Sequence, residues 1–552
     1  MDNHTTHRNS DRSFLGKSTK FKHGRLANSF WKTLFCQSIQ AEIQNVQAVY
    51  SQLSTPNIGI EVILGGLNLL GPFVSLFNLV KHNIAVANKV IQKSSQLVHW
   101  VLGRHDVDTP CSTLTVLDNR TKRRYEIPIS RNAVSAVEFQ KITTARCDIE
   151  SAGQVDSGLR VLDPGFRNTA CMESNITFVD GKRGYIQFRD YPIEYLIEKH
   201  DYEEVIHLLI WGRLPDAVEK REFQRKIAAG CVPPESVVRV ITSFPRDSLT
   251  STMVMAGMAA YASQDEGAVR TLQSGCPAYL GQPDKVDAAL TSTLSALATV
   301  VALTYCHKRG KAFVPVNPEA SFISNVLRMM GFQEGMSGKP NAEMIQCFEK
   351  LWILYADQEM TNSTSAFLHA ASTLADPLSC CISGIVSGYG PLHGGAIDLA
   401  YKAFEDLKTP ENVPALIVDV KAKKQRLFGY GHRVYKVVDP RAKFIRAMID
   451  QYRDKVESNP LLSVAMEIDR VASTDEYFTS RSLKANADLY GCFLYTAFGF
   501  EPDIIVAMAS LSRIPGVLAH WREAMLEKGP LLWRPQQVFT GALADEYYHT
   551  SR

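Results

Sequence analysis

The chain has 552 residues, of which 45% are hydrophobic, 21% charged and 9% aromatic, a composition typical of soluble globular proteins. Its length predicts two to four domains. The net charge of +3 is too evenly balanced for a nucleic-acid-binding protein, in which basic residues concentrate on one face.

The 11 cysteines are scattered along the chain and include no C-x-x-C pair. Their odd number and the adjacent Cys380 and Cys381 argue against a disulfide framework and against a zinc site. We therefore expect a reduced intracellular protein. The sequence leaves open whether it works in the cytoplasm or in the mitochondrion.

The N-terminal part of the chain is of two kinds. Residues 1–35 are polar, with only two acidic residues and no apolar core of a secretory signal, so a mitochondrial transit peptide and a disordered tail both stay open. Residues 62–80 are uncharged and long enough to span a bilayer. Their glycines, asparagines and central Pro72 favour a buried or interfacial hairpin over a transmembrane helix, and we expect no firm membrane association.

The rest of the chain predicts a mainly α fold with one short β-rich segment. Residues 112–129 contain two runs of β-branched residues around a polar Asn-Arg turn, which predicts two strands. Beyond residue 180, apolar residues recur at helical spacing, for example over 194–215 and 447–473. These patterns predict many medium-length helices.

A histidine lies between two turn signals in the stretch GYGPLHGGAIDLAYKAFEDL, residues 388–407. Pro391 disfavours a helix before His393, Gly394 and Gly395 permit tight backbone geometry, and the apolar residues that follow predict a helix. The positive end of that helix disfavours an imidazolium ion, so a neutral His393 would be able to donate to a developing oxyanion. The alternative is a histidine that only caps a turn.

A second histidine follows glycines in LFGYGHRVYKVVDPRAKFIRAM, residues 427–448. The basic residues around His432 suit an anionic ligand with several phosphates or carboxylates. They are Lys421, Lys423, Lys424, Arg426, Arg433, Lys436, Arg441 and Lys443. A solvated basic face is the alternative interpretation. Asp488, in KANADLYG, indicates nothing by itself.

Together these stretches resemble the citrate synthase family, in its bacterial-type branch. The segment at 161–196, the stretch GYGPLHGGA, the stretch GYGHRVYKVVDPRAK and the stretch NADLYG occur in the family's order. The resemblance runs from about residue 110 to the end. Residues 1–109 lie outside it, as an N-terminal extension of unknown role.

The resemblance implies a fold, a set of residue roles and a reaction. His393 would hold the thioester carbonyl of an acyl-CoA as its enolate forms, Asp488 would take the α-proton, and His432 would polarise and protonate the ketone of oxaloacetate. Arg441 and Arg513 would bind carboxylates, and Arg534 would reach in from the other subunit of a homodimer. Among the basic residues, the expected coenzyme A contacts are Lys424, Arg426, Arg433 and Lys436. No metal and no cofactor are implied, since acyl-CoA is a substrate.

The implied fold is a large helical domain, residues 110–396 and 491–552, with a smaller helical domain inserted at 397–490. The active site would lie between them, and domain closure would exclude water from the enolate.

The sequence departs from the family at YADQE, residues 355–359, where the family reads close to H-A-D-H-E. Gln358 replaces the histidine that contacts the oxo-acid, and Tyr355 replaces the first histidine. Gln358 can donate a hydrogen bond but cannot carry charge. This change favours an alkylcitrate synthase of fungal natural-product biosynthesis, which joins oxaloacetate to a longer acyl-CoA. An ordinary citrate or 2-methylcitrate synthase and a non-catalytic binding relative are the alternatives.

Overall fold

The computed structural model describes residues 112–143, 158–335, 338–526 and 532–540. The predictions for residues 1–35 and 62–80 therefore lie outside the described residues. The described chain falls into two compact units, which meet in sequence between Ser135 and Ala136. In their described residues, the first contains only strands and the second is mainly helical.

The described part of the first unit, residues 112–135, forms an antiparallel three-stranded sheet in the order β1-β2-β3, with strands β1 Thr113–Asp118, β2 Arg123–Ser130 and β3 Ala133–Val134. The turn between β1 and β2 is closed by Arg120, whose guanidinium Nε and Nη2 both donate to the Asp118 carboxylate, at 3.0 and 3.1 Å. The two strands predicted between 112 and 129 are confirmed.

The second unit begins with a two-turn 3-10 helix and a small antiparallel sheet. Its elements are the 3-10 helix Ala136–Lys141 and strands β4 Thr177–Asp180, β5 Tyr185–Phe188 and β6 Tyr191–Pro192. Ile186 and Phe188 of β5 are fully buried, so the sheet is anchored to the helical core by alternate side chains. The periodicity beyond residue 180 did not reveal this hairpin.

Nineteen α-helices follow in the described residues. The first nine are α1 Ile193–Lys199, α2 Tyr202–Trp211, α3 Ala217–Gly230, α4 Glu235–Thr242, α5 Thr250–Ala262, α6 Glu266–Ser274, α7 Pro283–Arg309, α8 Phe322–Met329 and α9 Ala342–Tyr355. The next five are α10 Asn362–Ala371, α11 Pro377–Gly388, α12 Ala396–Leu407, α13 Val413–Lys421 and α14 Pro440–Gln451. The last five are α15 Arg453–Val456, α16 Leu461–Thr474, α17 Glu476–Thr479, α18 Asp488–Ala497 and α19 Ile505–Leu526. Two further 3-10 turns are Pro410–Asn412 and Pro502–Ile504.

Two predicted helical stretches are divided in the structure. The stretch 194–215 forms α1 and α2, because Asp201 caps α2 in a capping box with Glu204. The stretch 447–473 contains the end of α14, all of α15 and most of α16, which begins after Pro460. Capping and proline chemistry overrode a hydrophobic pattern that continued across both breaks.

The core of the second unit is built around α7 and α19. Each is long and apolar enough to cross a membrane by length and composition, but most of that apolar length is buried inside the protein. This burial is typical of core helices. Pro515 lies inside α19, and the next amide, Gly516 N–H, donates to the Ala356 carbonyl at 3.2 Å. That bond ties the segment after α9 to α19.

Candidate active site

Six of the predicted catalytic and substrate-binding residues line one cavity in the helical unit. The cavity holds about 1050 Å³ of space not filled by atoms, part of it open to solvent. The six are Gln358, His393, His432, Arg441, Asp488 and Arg513. They come from α14, α18, α19 and three connecting segments, so the fold gathers residues spread over more than 150 positions.

His393 lies in a tight turn between α11 and α12. Its backbone N–H donates to Gly390 O, and Gly395 N–H donates to Gly388 O, both at 2.9 Å. A Cβ on Gly395 would stand 2.3 Å from the Tyr389 carbonyl oxygen, so only glycine fits there. The predicted position just before a helix N-terminus agrees with the start of α12 at Ala396.

The ring of His393 is neutral at physiological pH and is held by a side chain. Burial and then the charge of Arg513 lower the pKa of His393 to about 4. The sequence attributed the neutral ring to the helix dipole, whereas burial is the largest cause in the structure. The Nε2 atom lies 2.8 Å from the hydroxyl of Ser363 on α10.

His432 follows Gly429 and Gly431, whose φ angles of +80° and +86° favour glycine. Its Nδ1 atom accepts hydrogen bonds from the backbone N–H groups of Val434 and Tyr435, at 3.1 and 3.2 Å. Burial and then the charge of Arg441 lower the pKa of His432 to about 4. Because Nδ1 is an acceptor, the neutral ring carries its proton on Nε2.

Asp488 is the first residue of α18 and is tied to the His432 loop by Asn486. Asn486 accepts from the Asp488 backbone N–H and donates its side-chain N–H to Gly431 O, both at 2.9 Å. Burial raises the pKa of Asp488 to about 6, although Arg441 and Arg513 oppose the rise. Asn486 also lines the cavity and was not singled out from the sequence, although it stands two residues before Asp488.

The two arginines in the cavity differ in how they are paired. Arg441 donates Nε and Nη2 to both oxygens of Asp439, at 3.0 and 2.7 Å, and this buried charge pair fixes its plane. Its guanidinium also lies 5.5 Å from the centre of the Tyr355 ring. Tyr355 therefore stacks on an arginine at the position where the family has a histidine.

In the described part of the chain, Arg513 has no carboxylate paired with it in this way. Its Nη1 atom is buried without a hydrogen-bond partner among the described residues. Burial lowers the pKa of Arg513 to about 10, which leaves it charged at neutral pH. A buried guanidinium with a free donor in a cavity is well suited to an anionic ligand.

Gln358 is held by Tyr435, to whose hydroxyl its side-chain N–H donates at 2.6 Å. The Gln358 carbonyl oxygen is buried and has no partner within the described chain. The neighbouring Asp357 bonds to His520 at 3.2 Å, and His520 lies 3.4 Å from the Ser174 hydroxyl. Contacts with Tyr435 and His520 therefore hold the segment 355–359 in place. The sequence did not single out Tyr435, Ser363 or His520.

The remaining predicted residues lie on the surface, outside the cavity lining. Arg534, Lys424, Arg426, Arg433 and Lys436 are all exposed. Lys424 lies 3.1 Å from Asp419, and Arg433 donates to Gly165 O at 2.6 Å. Their predicted roles toward a partner subunit and coenzyme A stay predictions.

Known proteins share much of this sequence, including the segments that line the cavity. Residues 165–536 match the family model described as citrate synthase, C-terminal domain. The citrate synthase-like protein oryE of Aspergillus oryzae is 46% identical over 431 residues, which cover 78% of this chain and 96% of that protein. The alkylcitrate synthase phiJ of a fungal species is 36% identical over 433 residues, covering 78% and 93%.

A solved structure has the same fold. The citrate synthase of the thermophilic archaeon Thermoplasma acidophilum, in ternary complex with carboxymethyl coenzyme A and oxaloacetate, superposes with a TM-score of 0.63 and 27% identity. The match covers 69% of this chain and 97% of the archaeal chain. The fold class predicted from the sequence is confirmed, and this chain belongs to the citrate synthase family.

Proposed function

We propose that this enzyme joins an acyl-CoA to oxaloacetate by a new carbon–carbon bond and then hydrolyses the thioester, which gives a citrate or alkylcitrate and free coenzyme A. The single observation that carries the proposal is the cavity itself. It combines a carboxyl with a raised pKa, two neutral histidines and an arginine with an unpaired donor.

The first step is removal of the α-proton of the thioester by Asp488. A pKa of about 6 leaves this carboxylate ionised at neutral pH while making it a stronger base than an exposed aspartate. The electron pair from the broken C–H bond moves onto the thioester oxygen. His393, neutral and beside the same cavity, donates to that developing oxyanion.

The second step is attack of the enolate carbon on the ketone carbon of oxaloacetate. The His432 ring carries its proton on Nε2, because two backbone N–H groups donate to Nδ1. This Nε2–H donates to the ketone oxygen. That oxygen takes the Nε2 proton of His432 as the bond forms, and the ring regains a proton from water in the hydrolysis step. Arg441 and Arg513 bind the carboxylates. Water then cleaves the thioester and coenzyme A leaves as the free thiol.

The proposal extends to domain closure, to a partner subunit and to the coenzyme A contacts. The small domain at 397–490 closes over the large domain, 110–396 and 491–552, to exclude water from the enolate. Arg534 completes the oxaloacetate site of the partner subunit in a homodimer. Lys424, Arg426, Arg433 and Lys436 bind the phosphates of coenzyme A.

We further propose that the preferred acyl-CoA is longer than acetyl-CoA. Two observations support this: the relative phiJ, which bears the name alkylcitrate synthase, and Gln358 at the oxo-acid position. Ordinary citrate synthesis would instead show a preference for acetyl-CoA, and 2-methylcitrate synthesis a preference for propionyl-CoA.

The test is an assay of free coenzyme A thiol with oxaloacetate and acyl-CoAs from acetyl to decanoyl, with mass spectrometry of the acid formed. We expect turnover, with kcat/KM higher for a longer chain than for acetyl. Release of thiol that does not depend on oxaloacetate would indicate a thioesterase. Absence of release with every acyl-CoA would contradict the condensing function and favour a non-catalytic relative.

A further inference from the structure

The cavity continues past the reacting groups into the helical core. The continuation, which we call the apolar arm, lies among α7, α10, α11 and α19, which pack against one another. Its lining residues are Leu297, Phe367, Cys381, Ile385, Ile514 and Val517. All six are buried and apolar, and burial raises the pKa of the Cys381 thiol to about 12, so that side chain is uncharged as well.

The arm starts beside His393. Ser363, which bonds to the His393 ring, lies on α10 one turn before Phe367, and both line the cavity. On α11, Gly388 stands at the His393 end, because its carbonyl accepts from Gly395 N–H at 2.9 Å. An acyl chain whose carbonyl oxygen meets His393 would therefore extend inward along α10 and α11.

One face of α11 forms the wall of the arm. Cys381, Gly384, Ile385 and Gly388 follow the i, i+3, i+4, i+7 spacing of a helix face, and all four line the cavity. From Gly388 to Cys381 the helix rises by roughly 10 Å. An acetyl group is far shorter than this, whereas a medium-length alkyl chain fills it.

Two glycines keep that wall free of side chains near the reacting groups. A Cβ on Gly388 would meet nothing closer than the Ser510 hydroxyl at 3.9 Å, so the space beside this residue is open. A Cβ on Gly384 would lie 3.4 Å from Ser363 O and 3.5 Å from the Phe367 Cβ, in ordinary contact. A larger side chain at Gly388 would project into the start of the arm, beside His393, and obstruct a chain longer than acetyl.

We propose that the apolar arm holds the alkyl chain of a medium-chain acyl-CoA, and that the missing side chain at Gly388 lets chains longer than acetyl enter it. The proposal rests on the condensing function proposed above and names its substrate class. Transfer of an alkyl chain from water into this apolar lining is favourable, whereas transfer of a charged or hydrated group is not.

The test compares Gly388→Val and Gly388→Ala with the wild-type enzyme. Val386→Leu is the matched control, because it adds bulk to the same helix on an exposed side chain outside the cavity lining. The first readout is kcat/KM for acetyl-, hexanoyl-, octanoyl- and decanoyl-CoA with oxaloacetate. We expect Gly388→Val to lower the decanoyl-to-acetyl ratio at least tenfold, Gly388→Ala to lower it less, and Val386→Leu to leave it unchanged.

The second readout does not depend on turnover. Binding of unreactive S-alkyl-CoA thioethers, from S-ethyl to S-decyl, is measured by calorimetry on the same proteins. Tighter binding with increasing length in the wild type, lost in Gly388→Val, supports the arm even if no condensation occurs. A length profile that is the same in Gly388→Val and wild type overturns the arm and leaves the condensing function standing.

A variant that enlarges the arm covers the case in which Gly388→Val does not fold. Phe367→Ala removes the aromatic ring from the buried wall and should move the preferred length upward by two or more carbons, with thermal unfolding as the check on folding. Unchanged length preference in a folded Phe367→Ala protein contradicts the proposal.

Discussion

Two loops of the helical unit bring a histidine into the same cavity, and they hold the ring in different ways. The His393 ring is bonded by a side chain, the Ser363 hydroxyl, whereas the His432 ring accepts two backbone N–H groups. Burial lowers both pKa values to about 4. Both histidines are therefore neutral, but only the backbone arrangement fixes which nitrogen carries the proton.

The two histidines therefore differ in how firmly their contacts determine the position of the ring proton. A hydroxyl can donate or accept, so the Ser363–His393 pair does not by itself determine the tautomer. Backbone N–H groups only donate, so His432 must present Nε2–H to the cavity. Because both rings are assigned as hydrogen-bond donors to substrate oxygens, removal of the α-proton is left to a separate base, and Asp488 lines the same cavity.

The largest expected effect comes from removing that base. Asp488→Asn keeps the volume and the helix start but cannot accept a proton, so kcat should fall about 10²–10⁴-fold while oxaloacetate binding changes little. Steady-state kinetics with calorimetry of oxaloacetate binding checks both. Retention of more than about a tenth of wild-type kcat would mean that one of the histidines is the base, and the comparison would fail.

The two histidines should then separate by the substrate they affect. His393→Ala should lower kcat at least about 10²-fold, the usual loss for one oxyanion donor, with little change in oxaloacetate affinity. His432→Ala should weaken oxaloacetate binding as well as turnover. Isothermal titration with oxaloacetate and saturation kinetics distinguish the two. Collapse of oxaloacetate binding in His393→Ala, with turnover preserved, would show that the roles are exchanged.

The dependence on pH separates the carboxyl from both rings. The pKa of Asp488 is about 6 and must be exceeded for base catalysis, so log kcat/KM should rise with unit slope up to about pH 6 and then level off. The rings should remain neutral over the same range. Histidine ring signals in NMR should therefore show no titration of His393 or His432 between pH 5 and 8, and a titration midpoint near 6.5 would contradict their burial.

Much of this cavity was predictable because its motifs are local in sequence. The glycines around His393 and before His432, and the helix after His393, follow from residues within a dozen positions. The partners that fix the rings are different. Ser363 lies 30 residues before His393, and no periodicity connects them. Asn486 is only two residues from Asp488, but its bond to Gly431 O depends on a contact across 55 positions.

The fold shows the same division. The mainly α class and the hairpin at 112–129 follow from hydrophobic period and β-branched content. The break between α1 and α2 could not be predicted from the hydrophobic period. Both helices bury residues in the same core, so the period continues across the break. The Asp201–Glu204 capping box was the signal to find it. The apolar arm had no local signal, since its six residues come from four helices over 220 positions.

A smaller effect is expected at Gln358, which contacts the His432 side of the cavity through Tyr435. Gln358→His brings a ring that can take up a proton beside the bound oxaloacetate dianion and then form a charge-assisted bond, worth roughly 1.5–3 kcal/mol, so oxaloacetate affinity should rise about tenfold. Acyl-chain preference should change less, because the acyl chain lies on the His393 side. Calorimetry and the acyl-CoA series measure the two. A change of acyl preference without a gain in oxaloacetate affinity would contradict this separation.

The smallest effect should come from Ser363→Ala, which removes the side chain that holds the His393 ring. A typical hydrogen bond contributes about 1 kcal/mol, so kcat should fall roughly fivefold, with oxaloacetate affinity unchanged. Ser387→Ala is the matched control, since the Ser387 hydroxyl bonds to Asn362 and not to a histidine. The Ser363 hydroxyl only orients the ring and takes no part in the reaction. Threonine keeps a hydroxyl, so Ser363→Thr should retain most of the activity. A Ser363→Ala enzyme as fast as wild type, or a control equally slow, would show that the His393 turn alone fixes the ring, as the backbone does for His432.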